Sequence, residues 1–429
     1  MTLRRRLAEA RAVQPLHERD FALLSLAAAV SLFGDGFFYV ALAWQVYEIS
    51  NVPTALSLVG VAWTLPLVVF LLLGGAFSDR YDRRLLMIGA DLLRAGALVG
   101  MAVLSGTGLI ELWHVAALIA LVGIGDAFFN PASTAIVPDL VPEEQLPQAN
   151  ALMGMIRPLM IRLAGPAVAG FVVAAFGAGV AFGVDALTFI LSALVLAAVR
   201  ARPTVMPAAA ASVRRTVSEV SEGLRFVRAN PWCWATLVAA MLSLLVFFGP
   251  VEVLVPFLVK NRLGLGPESL GAIFAMGGVG SVAMALAVGQ LGLPRRRITV
   301  MYAAWSLGVA VMAVYGLMTS LWQALLASLI MHALFQLGQV IWITLLQQLV
   351  PRPLLGRVAS LDWLVSTGLV PVSFALTGPA AAAFGADTTM VGAALLGAVF
   401  MGMLLFVPGV RDPERADVAD RSADVIAPG

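Results

Sequence analysis

The sequence predicts an all-α membrane protein whose twelve transmembrane helices form two pseudo-symmetric six-helix bundles. Composition is the first reason: of 429 residues 60% are hydrophobic and 12% charged, where soluble domains carry about a quarter charged residues. Apolar runs are the second, because twelve windows approach or exceed the roughly 20 residues that cross a bilayer. The third is a central break, after which short motifs of the first half return.

The first six windows fall at 21–46, 53–77, 85–104, 112–136, 149–175 and 180–199. The last six fall at 232–258, 269–292, 298–316, 321–347, 358–381 and 389–408. Between them, residues 200–231 hold Pro203, Pro207 and SVRRTVSEVSEGLRFVRANP, an amphipathic stretch that suits a helix on the membrane surface. The expected order is therefore an N-tail (1–20), a first bundle (21–199), a linker (200–231), a second bundle (232–408) and a polar C-tail (409–429) without regular structure. The basic N-tail precedes an apolar run too long for a signal peptide and lacking a small-residue cleavage site, so it is expected to stay as the first span. Outside the spans only Lys260 and Arg262 lie on the far side from the other basic residues, which puts both termini in the cytoplasm.

The halves read as a repeat. LVPEEQLPQANA at 140–151 returns as LVPRPLLGRVAS at 349–360, and AAFGA at 174–178 recurs at 382–386. Each pair brackets a Gly-Pro, at Gly165-Pro166 and Gly378-Pro379.

Several function classes drop out. A net charge of +2, spread in short clusters, gives no basic patch for nucleic acid. Cys233 is the single cysteine, which leaves no intramolecular disulfide and no thiolate metal site. There is no HExxH, phosphate loop or Ser-His-Asp spacing, so neither an enzyme, a metal nor a bound cofactor is expected, and no ATP-driven pump. GGVGS at 277–281 lies inside an apolar span, where small residues serve helix packing.

Ionisable residues inside the spans carry the chemistry, because a charge at mid-membrane is costly unless paired or wetted. In SLFGDGFFYV, Asp35 lies about 22 Å from the cytoplasmic end at 1.5 Å per residue, flanked by Gly34 and Gly36 that admit a close neighbour. It is a candidate for proton coupling or ligand contact, with a structural ion pair as the alternative. In GIGDAFFNPASTA, Asp126 lies about 16 Å in, either a second titrating carboxylate or a fixed salt bridge. Arg157 and Arg162 sit about 12 and 20 Å deep, and on a regular helix five residues separate them by about 140°. Arg157 can snorkel; Arg162 is too deep for that and needs a carboxylate or water partner, with Asp35 or Asp126 the expected one. Asp91 and Arg94, three apart, are expected to pair with each other in a structural role. In the tenth span Ser328, His332, Gln336 and Gln339 make a polar stripe expected to line the cavity from the second half, and Tyr39 of the first span is a further cavity candidate.

GGAFSDRYDRRLLM at 74–87 strongly resembles the G-x-x-x-D-R-x-G-R-R signature of the major facilitator superfamily, with Gly75, Asp79, Arg80, Arg83 and Arg84 in register and Asp82 replacing a glycine. In that family the loop latches the cytoplasmic gate, its arginines holding lipid head groups and carboxylates. The first-span G-D-G and the run FFNPASTAIVPDLVPEEQLPQANAL resemble the drug/proton antiporter branch that contains Tap-type multidrug, macrolide and enterobactin exporters. GPAVAG resembles the fifth-span antiporter motif at Gly165, Pro166 and Gly170, while Ala169 and Ile161 stand where it has glycines. The fourth-span arginine of many antiporters is absent, Ile119 occupying its place.

The resemblance implies a proton-coupled efflux transporter in the bacterial inner membrane, monomeric, working by alternating access on amphipathic small molecules and powered by the proton motive force. Asp35, Asp126 and Arg162 are the expected coupling residues. A dedicated exporter of one metabolite such as a siderophore, a lysophospholipid flippase and a non-transporting membrane sensor are the alternatives.

Overall fold

A computed structural model describes residues 11–78, 80–200 and 213–414. Among the described residues, twelve helices are long and apolar enough to span a membrane. They are α1 Arg19–Ile49, α2 Pro53–Ser78, α3 Arg83–Gly106, α4 Leu112–Ala135, α5 Gln148–Phe176 and α6 Ala178–Ala197. After the linker helix Val213–Ala229 come α7 Pro231–Asn261, α8 Pro267–Leu291, α9 Arg297–Leu317, α10 Leu321–Leu349, α11 Leu354–Phe384 and α12 Ala386–Leu404. The apolar windows of the sequence fall on these helices to within a few residues, because length and hydropathy alone decide a span. Residues 201–212 and 415–429 of the linker and C-tail, and 1–10 of the N-tail, lie outside the described residues.

Contacts divide the chain into two compact units. One comprises Met1–Ala210 with Val259–Gly278, and the other Ala211–Leu258 with Val279–Gly429. In the first, α1 packs on α5 and α6, α3 on α4 and α6, and α2 on α4. In the second, α7 packs on α11 and α12, and α9 on α10 and α12. Matching neighbours six helices apart are the structural counterpart of the sequence repeat.

Glycines set the closest approaches. A Cβ on Gly36 of α1 would stand 2.7 Å from Gly165 Cα and from Pro166 Cδ of α5. In the second unit Gly249 of α7 abuts Ser373 and Thr377 of α11 in the same way. Backbones this close leave no room for a side chain, so packing rather than propensity selects glycine there. Val259–Gly278 joins the first unit through similar contacts: Gly271 lies on the Pro166 carbonyl, and Lys260 donates 2.7 Å to the Tyr47 carbonyl with its ammonium 5.2 Å from the Trp44 ring.

The core of the first unit gathers Phe21, Met87, Phe129, Ile136 and Leu196. That of the second gathers Trp232, Tyr302, Trp305, Trp342 and Leu345, together with Val227 of the linker helix. The linker helix is thus packed onto protein through its apolar face, with Glu222 paired to Arg357 at the start of α11 and Gly223 against the same residue.

Candidate functional site

The first unit encloses a charge network built from four helices. Arg94 of α3, its side chain 4% exposed, pairs with Asp91 one turn back and with Asp126 of α4, at 2.9 Å. Its guanidinium also lies 4.3 Å from the Phe129 ring centroid and 4.1 Å from that of Phe189. Ser192 of α6 donates 2.7 Å to the other oxygen of Asp91, and the Trp63 indole of α2 donates 3.0 Å to the other oxygen of Asp126. Buried charge is tolerated only when paired and hydrogen-bonded, and here one cation serves two carboxylates whose outer oxygens are each capped by a neutral donor. Gly125 makes this possible, because a Cβ there would stand 3.1 Å from Arg94 Cδ.

The expected pairing of Asp91 with Arg94 is present, and Arg94 also reaches across to α4. Asp126 is thereby held in a salt bridge, the second of the two readings its sequence allows, with Arg94 of α3 as partner. A guanidinium with donors on both terminal nitrogens can bridge carboxylates on two helices, a relation that spacing within one helix cannot reveal.

Asp35 sits half-buried beside the network. The charges acting on it are those of Arg94, Asp126, Arg157 and Asp91. Its flanking glycines face different neighbours. Gly36 meets Gly165 and Pro166 of α5 as described, while a Cβ on Gly34 would collide with Thr188 and Asp185 of α6. The G-D-G triplet therefore seats one carboxylate between two close helix crossings. Trp63 links the network to α1, since its ring packs edge-on against Phe38 and Tyr39, with centroids 5.6 Å away in both cases. Tyr39 is half-buried, whereas Phe37 and Phe38 are buried.

Asp185 is missing from the candidates drawn from sequence. The signal was present, as a lone carboxylate in the apolar window 180–199, and the rule that flags Asp35 flags it equally. It is 0% exposed.

In α5, a π-helical turn over Pro158–Ala164 interrupts the α-helix, shown by the Gly165 N–H bonding to the Met160 carbonyl. Such turns bond each residue to the fifth along, so Arg157 and Arg162, five apart, come toward a shared face. The separation of about 140° holds for a regular α-helix and is corrected by the inserted turn. Both arginines are exposed. Farther along, Gly170 of the same motif lies 2.8 Å, measured from a Cβ built there, from the Pro267 carbonyl at the start of α8. Gly165, Pro166 and Gly170 thus all serve close backbone contacts.

The loop between α2 and α3 ties helix ends together. Asp82 caps α3, accepting from the Arg84 and Leu85 N–H groups at 2.9 and 3.3 Å. Arg83 donates to the Ala135 carbonyl at 2.9 Å and to Asp139 at 2.7 Å, gripping the end of α4. Arg84 donates 2.6 Å to the Val199 carbonyl beyond α6. Arg80 is exposed, and Gly75 has open space around it. Asp79 lies outside the described residues.

In the second unit, Ser328 and His332 are buried, with His332 Nδ1 2.9 Å from the Ser328 carbonyl one turn back. Gln336 is half-buried and Gln339 exposed, so the stripe on α10 runs from the interior to an open face. Asp362 of α11, also absent from the sequence candidates, accepts 3.2 Å from the Trp342 indole.

Comparison with known proteins places this architecture. The family described as transmembrane secretion effector matches residues 10–424. The multidrug efflux pump Tap of Mycolicibacterium fortuitum is 27% identical over 401 residues, covering 92% of this chain and 97% of the pump. Macrolide efflux protein A of Streptococcus pyogenes is 25% identical over 352 residues, covering 81% and 86%. Among solved structures, a point mutant of the nucleoside transporter NupG superposes with a TM-score of 0.67 at 10% identity, over 90% of this chain and 99% of that one. A POT family transporter in complex with a thioalcohol-conjugated peptide gives 0.68 at 13%, over 91% and 96%. These two neighbours share the major facilitator fold. With its twelve spans, its loop signature and a match along nearly its whole length, the chain is a multi-pass membrane transporter that belongs to the transmembrane secretion effector family of the major facilitator superfamily.

Proposed function

We propose that this protein exports amphipathic small molecules in exchange for protons, by alternating access across a bacterial inner membrane with both termini in the cytoplasm. The observation that carries the reading is Asp35: a half-buried carboxylate at mid-span, beside a sealed Arg94 network and seated by glycines between two helix crossings. A carboxylate so placed changes its charge when it takes a proton, and that change biases which packing of α1 against its neighbours is favoured. The relatives, a multidrug efflux pump and a macrolide efflux protein, support a bulky, partly apolar substrate. In this reading Tyr39 of the first unit and, separately, Gln336 and Gln339 of the second are substrate-contact candidates, and Arg162 contributes positive charge on α5.

A susceptibility panel comparing cells with and without the gene identifies the substrate class. Efflux of a hit compound from loaded cells is then followed before and after a protonophore. Loss of efflux on collapsing the proton gradient supports the reading; efflux that persists without the gradient overturns proton coupling.

A further inference from the structure

We propose that Asp185 is a second proton-carrying acid, seated against Gly34, the residue that precedes Asp35 in α1. The inference rests on the proton-driven reading above and extends it to a residue that the sequence motifs do not touch. Asp185 lies on α6, which packs against α1, α3 and α5, and its side chain is wholly buried. One carboxyl oxygen takes a long bond, 3.4 Å, from the Thr188 hydroxyl, whose shorter bond of 2.7 Å goes to the Asp185 main-chain carbonyl. The other oxygen has no hydrogen-bond partner among the described residues. A sealed carboxylate with an unanswered oxygen lacks the hydrogen bonds that would hold its charge. The neutral acid suits the site far better.

The charged groups facing it come from three helices. Asp35 stands on α1, Arg94 on α3, and Asp126 on α4; the segment of α5 packed on α6, Gly165–Phe176, has no ionisable residue. Arg94 is already committed to Asp91 and Asp126. Any residue larger than glycine at position 34 would strike the Asp185 carboxyl and the Thr188 hydroxyl, so the glycine next to Asp35 in α1 is what admits Asp185 to that helix. Asp35 is partly open and Asp185 is sealed. In the transfer step the O–H bond of Asp185 breaks and a new O–H forms on the Asp35 carboxylate. The negative charge passes to Asp185, and the reverse step reloads it.

The test uses the full-length protein in liposomes and inverted vesicles. Infrared spectra at neutral pH are expected to show a protonated-carboxyl C=O band that Asp185→Asn removes and Asp35→Asn keeps, and substrate-induced proton release per transported substrate should fall at least twofold in Asp185→Asn. Thr188→Val, which keeps the volume, should shift that band and the pH profile of transport, and it serves if Asp185→Asn does not fold. An Asp185→Asn protein with the same band, or with wild-type proton release per substrate, overturns the inference alone, as does a Thr188→Val protein with both readouts unmoved. A wild type that transports without moving protons overturns the proton-driven reading and this inference together.

Discussion

Arg94 on the third helix bonds Asp126 on the fourth at 2.9 Å while its other terminal nitrogen meets Asp91 on its own helix. The pairing welds α3 to α4 inside the bundle, and removing the cation would leave two carboxylates there with only the neutral donors Ser192 and Trp63. Losing one member of a buried ion pair costs about 3–5 kcal/mol. Arg94→Met should lower the unfolding temperature of the purified protein markedly, and Arg94→Lys should recover only part of it, because an ammonium lacks the fork that spans both acids. The triple change Asp91→Asn, Arg94→Met, Asp126→Asn should be more stable than Arg94→Met alone.

The α1–α5 crossing makes a second prediction. Gly36→Ala places a methyl group 2.7 Å from Gly165 Cα and Pro166 Cδ, and overpacking of this kind costs about 1–3 kcal/mol. Gly75→Ala, where nothing lies within 4 Å, should leave the melting curve in place. Equal effects of the two changes would contradict the packing account.

Much of this was legible in the sequence, and the losses have physical causes. The spans follow from length and hydropathy, so Arg19–Ile49 and Leu321–Leu349 lie close to their apolar windows. Asp35, Asp126 and Arg94 are visible as charges in apolar text. Which charge meets which is a matter of helix packing, so spacing alone does not show that Arg94 holds Asp126. The π-turn in α5 is invisible to a 3.6-residue period, and it alone changes the relation between Arg157 and Arg162. Asp185 stood in plain view, but its meaning depends on Gly34 of another helix.

Asp82 explains how the loop signature tolerates its departure from the family glycine. It caps α3 through two N–H groups, and replacing an N-cap aspartate by alanine costs about 0.5–2 kcal/mol while glycine costs only a few tenths. Thermal unfolding should rank the wild type first, Asp82→Gly close behind, and Asp82→Ala last.

The segment after α12 caps another helix. Glu414 accepts from the Thr299 N–H at 2.6 Å and from its hydroxyl at 2.9 Å, in the first turn of α9. Glu414→Ala should weaken that end by about 1 kcal/mol, and hydrogen exchange confined to the first turn of α9 should speed up severalfold while the rest of α9 is unmoved.

In the proposed mechanism Asp35 carries the coupled proton, and everything else depends on that assignment. Inverted membrane vesicles loaded with a pH indicator, given a transported substrate, read it directly. The wild type should release protons on substrate addition and Asp35→Asn should release none, although the variant still inserts and melts as a folded protein. Proton release by Asp35→Asn equal to that of the wild type would contradict the assignment.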